Sequence, residues 1–260
     1  MKYRLLIIVT LSAIVLSGCV KIGEFYVGLT MQPDMENSPF EPGLNVYGVV
    51  KCGADFDSVN YHFEVQRMLD LLDWSEGMEV DDAKIHLHRI TTQGEEFDYD
   101  LSYYYDGSIY RNDSINALPG DRWTYRCAED TFEVTSSCVV PNLPVIQNAK
   151  LTGNRIGFEV KADTSAFLYL IYVFQGENIH TEYKIPSINQ DAEFSTDLEW
   201  VVSDEPIFVY VCAYDENLRK YQTTSNTFFK PNAFRPSFST VEGGYGTFGA
   251  IAIQSVVLNR

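Results

Sequence analysis

Ala83-Lys84-Ile85-His86-Leu87-His88 alternates apolar and polar side chains with a period of two. Successive side chains of a strand point to opposite faces. Ala83, Ile85 and Leu87 then line a dry face, and Lys84, His86 and His88 a wet one. The stretch predicts a half-buried β-strand.

Strand signals continue on both sides of it. Tyr61-His62-Phe63-Glu64-Val65 alternates in the same way, and Leu44–Val50 is a short apolar run. Residues 65–74 are open between strand and one or two helical turns, because Val65, Met68, Leu69 and Leu72 also fit helical spacing. Downstream, Asp106-Gly107 separates aromatic runs as a hairpin turn. Leu118-Pro119-Gly120-Asp121 is a second turn, and residues 123–126 and 132–140 follow as strands. Pro141-Asn142-Leu143-Pro144 reads as a boundary. Beyond it strands are expected at 156–160, 167–174, 180–185, 194–202, 207–214 and 221–228, with turns at 153–154, 175–178 and 215–217. Many short strands rich in Val, Ile, Tyr and Phe predict an all-β chain of tandem β-sandwiches, one over 44–140 and one over 141–232. Residues 233–260 form a glycine-rich closing segment, with a final strand over Ile251–Leu258 expected to return to the first module and lock the two together.

The start of the chain has another logic. Lys2 and Arg4 precede an apolar run, Leu5 to Leu16, broken by Thr10 and Ser12. Small residues then lead to a cysteine in Leu16-Ser17-Gly18-Cys19. Basic start, apolar run and small-residue end are the layout of a secretory signal, here residues 1–18. The run is shorter than the roughly 20 residues of a spanning helix. The last four residues resemble the lipobox of bacterial lipoproteins. That resemblance implies cleavage before Cys19, a diacylglyceryl thioether on it, and N-acylation of the new terminus. Two or three chains make such an anchor stable. Residues 19–43, with two prolines and little periodicity before residue 40, read as a tether.

The chain carries 19 basic and 36 acidic residues, a net of −17. Loss of Lys2 and Arg4 with the signal takes it to −19. An acidic surface without a basic stripe excludes nucleic acid as an expected partner. It suits solubility in the envelope, with cation or cationic-peptide binding as the functional alternative. Four cysteines follow Cys19: Cys52, Cys127, Cys138 and Cys212. An even number in an exported chain favours disulfides. A hairpin bridge between Cys127 and Cys138 is the first expectation, which leaves Cys52 with Cys212.

Three stretches carry a family resemblance. Phe238–Ala250, Leu118-Pro119-Gly120 with Val139-Val140-Pro141, and Val80–Leu87 resemble motifs of the domain-of-unknown-function 4249 lipoproteins. The resemblance implies an outer-membrane or surface lipoprotein, periplasmic or surface-facing. Such proteins are often encoded near TonB-dependent transporters. It implies no catalytic residues and no cofactor. The first module looks like a transthyretin or carboxypeptidase-regulatory sandwich and the second like fibronectin type III, with 207–214 its penultimate strand. Residues 21–24 lack the acidic run that some relatives carry after the lipid. Asp57-Ser58-Val59 and Asp113-Ser114-Ile115 resemble O-glycosylation acceptors of the same bacterial phylum, which makes Ser58 and Ser114 candidates that must lie on exposed loops.

No other chemistry has a frame. His86 and His88 share one strand face and are weak metal candidates, but no third ligand is apparent in sequence. No serine sits in a Gly-x-Ser-x-Gly elbow, and no carboxylate pair or cysteine has a catalytic context. Tyr103-Tyr104-Tyr105 offers a stacking platform for sugar rings, although alternation buries at least one of the three. The expected function is therefore non-enzymatic: a lipid-anchored protein that supports or binds a transporter or another envelope protein. A surface glycan-binding module, with Trp74, Trp123 and Trp200 as contacts, is the alternative. An envelope hydrolase ranks last.

Overall fold

The computed structural model describes residues 42–54, 61–68, 79–186, 190–200, 205–225 and 239–259. The strands are β1 (Leu44–Gly53), β2 (Tyr61–Arg67), β3 (Lys84–Ile90), β4 (Glu96–Tyr104), β5 (Ile109–Arg111), β6 (Arg122–Glu129) and β7 (Phe132–Val139), then β8 (Ile146–Thr152), β9 (Arg155–Val160), β10 (Leu168–Gln175), β11 (Asn178–Lys184), β12 (Ala192–Asp197) and β13 (Ile207–Tyr214). A helix, α1 (Glu216–Ser225), precedes the last strand, β14 (Tyr245–Leu258).

Three sheets result. Six strands run in the order β11-β10-β13-β14-β1-β2, five in the order β5-β4-β3-β6-β7, and three in the order β12-β9-β8. The chain is thus all-β, apart from α1, among the described residues. β14 lies between β13, to which it is antiparallel, and β1, to which it is parallel. The C-terminal strand therefore joins the strands before residue 141 to those after it, as expected of the closing strand.

One face of the six-stranded sheet is the floor of the main core. Val46, Val50, Phe63, Phe248, Ala250, Val209, Val211 and Ile171 point into it. Ile85, Leu87, Trp123 and Tyr125 meet them from the five-stranded sheet, and Ile156, Phe158 and Phe194 from the three-stranded sheet. Phe63, Tyr125 and Phe248 stack with centroids 5.1–6.3 Å apart. Burying each such ring contributes roughly 2–3 kcal/mol. The closing segment is also tied to the five-stranded sheet. Thr135 and Glu242 exchange backbone hydrogen bonds of 3.0 and 2.8 Å, and Ser136 Oγ donates to the Thr240 carbonyl.

Two of the turn and glycine signals have clear structural counterparts. The Leu118–Asp121 turn is held by Asp121, whose carboxylate accepts from the Leu118 N–H and from buried Arg89 at 2.7 Å. Arg89 also lies over the rings of Phe97 and Trp123. In the glycine-rich tail, Gly246 takes a φ of 99°, and a Cβ there would meet the Val46 carbonyl oxygen at 1.9 Å.

The expected strand over 221–228 is corrected: residues 216–225 are helical, and 226–228 lie outside the described residues. The expected turn at 215–217 is the start of that helix. Asp215 caps it, its Oδ1 accepting from the Leu218 N–H at 2.9 Å. Glu216 stands in the first turn and pairs with Lys220 one turn on. The β-favouring residues Tyr221, Thr223, Thr224, Thr227 and Phe228 suggested strand; the cap was the stronger signal. β8 was not anticipated, because Gln147, Asn148 and Lys150 break its alternation and a bulge falls between Gln147 and Lys150. For the open stretch 65–74, Val65–Arg67 belong to β2, while residues 69–78 lie outside the described residues.

Candidate interaction surface

The second face of the six-stranded sheet is apolar too. Val49, Leu168, Leu170, Cys212, Tyr214, Ile251 and Ile253 form a separate buried cluster there, with Leu218 of α1 packed on it. Tyr221 of α1 meets Tyr47 at 5.6 Å. Gly249 makes the seat: a Cβ there would stand 2.6 Å from both the Leu218 side chain and the Asp215 carboxylate.

Away from α1 the same face reaches water. Ile179, Phe174, Phe208 and Val257 stand opposite one another across β11, β10, β13 and β14. Ile179 is 53 % exposed, Phe208 39 % and Val257 47 %. The next row holds Tyr172 and Tyr210, and the Phe174 ring lies 6.0 Å from Tyr172 and 5.9 Å from Tyr210. A contiguous aromatic and aliphatic row exposed on a sheet face is the chemistry of protein–protein contact. No motif in the sequence announces this row. The signal was that 207–214 is apolar at both parities, so neither face of that strand is a wet one.

The wet face of the five-stranded sheet carries the histidines. His86 and His88 lie opposite Asp100 and Asp98 of β4. His86 Nδ1 is 2.9 Å from Asp100 and its Nε2 3.1 Å from Asp98; His88 Nδ1 is 2.9 Å from the same Asp98 oxygen. Hydrogen bonding to Asp100 pushes the His86 imidazole up, with Asp98 adding to it and burial opposing. His88 in turn holds Asp98 below the usual carboxylate range. The carboxylates thus occupy both nitrogens of His86. Among the described residues no group of three or more His, Cys, Asp or Glu side chains is arranged to hold a metal ion. Asp98-x-Asp100 has the same period as His86-x-His88 and follows it across one turn, which is how pairing could have been read from sequence.

The disulfide expectations are corrected: Cys52, Cys127, Cys138 and Cys212 are buried thiols, none joined in a disulfide. In the β6–β7 hairpin Cys127 faces Val134, and Cys138 faces Trp123. Four residues of offset put the two about 13 Å apart along the strand, beyond the reach of a bridge. Cys52 and Cys212 are separated by β14 and belong to opposite faces of the sheet. Burial pushes the Cys52 thiol up to about 12 and the Cys127 thiol up to about 11, so neither is a ready nucleophile.

Other candidates divide by exposure. Trp123 is fully buried and Trp200 packs against the core. Trp74, Cys19 and Ser58 lie outside the described residues. Ser114 is exposed in a turn where Asn112 Oδ1 accepts its N–H at 3.0 Å. Of the three tyrosines, Tyr103 packs against the core, Tyr104 is 41 % exposed beneath the Arg111 guanidinium, and Tyr105 is 78 % exposed. Alternation turns Tyr104 and Tyr105 to opposite sides, so the run makes no single platform. An open cleft after β9 is lined by Asn142, Lys161, Asp163 and Thr164 among others.

No family model matches the chain, and no curated protein matches it. Among solved structures, the selenomethionine-substituted chicken interferon gamma receptor alpha chain is matched at 10 % identity, over 66 % of this chain and 87 % of that one, with a TM-score of 0.24. A score of that size carries no argument; the all-β class rests on the strands of this chain itself.

Proposed function

We propose that this chain is a non-catalytic lipoprotein of the bacterial outer membrane that binds a protein partner through the outer face of its six-stranded sheet. The observation that carries this reading is the exposed row Ile179–Phe174–Phe208–Val257. The lipobox-like Leu16-Ser17-Gly18-Cys19 supports the anchor, and the motifs at 80–87, 118–141 and 238–250 support the 4249 lipoprotein family, with a TonB-dependent transporter as the partner class that the resemblance suggests. Crosslinking in whole cells followed by mass spectrometry of the captured protein tests it. A dominant outer-membrane partner is expected for the native chain, with loss of capture by at least tenfold for the Phe208→Glu, Val257→Glu double variant. Equal capture by native and variant chains removes the face from the reading; no reproducible partner removes the reading itself.

The glycan-binding alternative is favoured by one observation, the 78 % exposure of Tyr105 with its hydroxyl 3.3 Å from Asp81. A glycan array bound by the native chain and not by Tyr105→Ala would support it.

A further inference from the structure

β11 (Asn178–Lys184) is the outermost strand of the six-stranded sheet and pairs with β10 alone among the described strands. Gln175 and Asn178 pair across a two-residue turn in which Gly176 has a φ of 57°. In such a tight hairpin the flanking pair exchanges both backbone hydrogen bonds, and every second pair does so after it. Asn178, His180, Glu182 and Lys184 thus spend their backbone groups on β10. Ile179, Thr181 and Tyr183 turn theirs to the free side. No backbone partner meets them there among the described residues. Both Ile179 and Thr181 are exposed.

An open edge of this kind is a template for another strand and is usually guarded by proline, bulge or like charge. This one has no proline and keeps unbroken register with β10. Its charges match an antiparallel copy of itself. With Thr181 at the midpoint, His180 falls opposite Glu182, and Thr181 opposite Thr181. Both are favourable cross-strand pairs. A second observation points the same way. His180 Nε2 is buried without a hydrogen-bond partner, and the Glu182 of its own strand stands 3.9 Å away. In the paired copies the opposing Glu182 would stand beside the same imidazole, whose side chain is one-third exposed.

We propose that two copies of this chain pair antiparallel through β11 about a twofold axis at Thr181, joining their six-stranded sheets into one of twelve strands. The contact is isologous, so assembly closes at two. The exposed row beginning at Ile179 then runs on across the axis. This inference does not rest on the transporter reading, and a dimer without an envelope partner leaves it standing.

Sedimentation equilibrium of the full chain in density-matched detergent tests it. The native chain is expected at twice the protomer mass in the micromolar range. Glu182→Lys removes the carboxylate and sets an ammonium against the opposing imidazole, and should return the protomer mass; the His180→Glu, Glu182→Lys double variant, which pairs carboxylate with ammonium, should restore the dimer. Thr181→Pro should also return the protomer, with an unchanged far-UV spectrum, because the N–H it removes faces the free side. Thr181→Cys should form a covalent dimer on oxidation, since such paired Cα atoms lie about 5.5 Å apart. A native chain that stays a protomer throughout, or a dimer indifferent to both Glu182→Lys and Thr181→Pro, overturns the proposal. The first outcome would leave the edge to an extended segment of another protein.

Discussion

Asp215 is 4 % exposed, yet it caps a helix, and burial pushes its carboxyl up to about 7. Backbone hydrogen bonds from Leu218 and Ala250 lower it only in part. Its folded value exceeds its unfolded value of about 3.9, so the native state binds the extra proton between those limits. Stability from this group is therefore greatest at low pH and falls as pH rises from about 4 to about 7, by an amount on the order of a few kcal/mol. Asp215→Asn keeps a capping oxygen and removes the charge. Urea unfolding at pH 5 and pH 8 should show that pH dependence flattened and the variant more stable than the native chain at pH 8 by about 1–3 kcal/mol. An unchanged difference between the two pH values would mean that Asp215 is not the group responsible. The His86 contribution has the opposite source: its raised value favours the folded state below its unfolded value and is lost as pH rises through the folded one. That pair is exposed, so screening keeps it small.

α1 shows how an element is decided by neighbours. Its seat needs Gly249, where a side chain would strike Leu218 and Asp215 at 2.6 Å. Asn217 adds two anchors, donating to the carbonyls of Ser137 at 2.8 Å and Phe248 at 2.9 Å, so the helix start is tied to both β7 and β14. Gly249→Val is expected to lift the first turn and cost about 2–4 kcal/mol, in the range of severe overpacking. Denaturant unfolding measures the cost, and faster hydrogen exchange across residues 216–222 locates it. Stability within about 0.5 kcal/mol of the native chain would show that the helix reseats without loss. The same logic explains the misread strand at 221–228: local β propensity at Tyr221 lost to a cap, an acidic first turn and one buried leucine.

At the scale of the whole molecule, β14 makes the halves interdependent. β1 and β2 precede the Pro141–Pro144 boundary, and β10, β11 and β13 follow it, but all share one sheet through β14. Ending the chain at Gly249 removes the residues that pair with Tyr214 to Ile207 and four of the nine pairs of the parallel register to β1. Such a chain is expected to lose cooperative unfolding altogether. In the full chain, far-UV circular dichroism and tryptophan fluorescence should follow one coincident urea transition. Two resolved transitions would mean that the modules fold independently despite the shared sheet.

Much of this architecture is local information. Period-two alternation marks β2 and β3, Asp106-Gly107 and Leu118–Asp121 mark turns, and the glycines near 246 mark close backbone approach, because each depends on the residue's own side chain or φ. Strand order does not depend on that, and neither does a partner across a sheet. Whether Cys127 can reach Cys138 is set by hairpin register, and the register left them four residues apart. His86 and His88 were legible as a wet face, but their carboxylate partners belong to β4, and the exposed row on the six-stranded sheet takes one residue from each of four strands. Sequence by itself determined that this chain is β, where most of its strands fall and which residues seek burial. Only the tertiary structure decided which strands meet, because long-range pairing is chosen by the packing of whole faces rather than by any one segment.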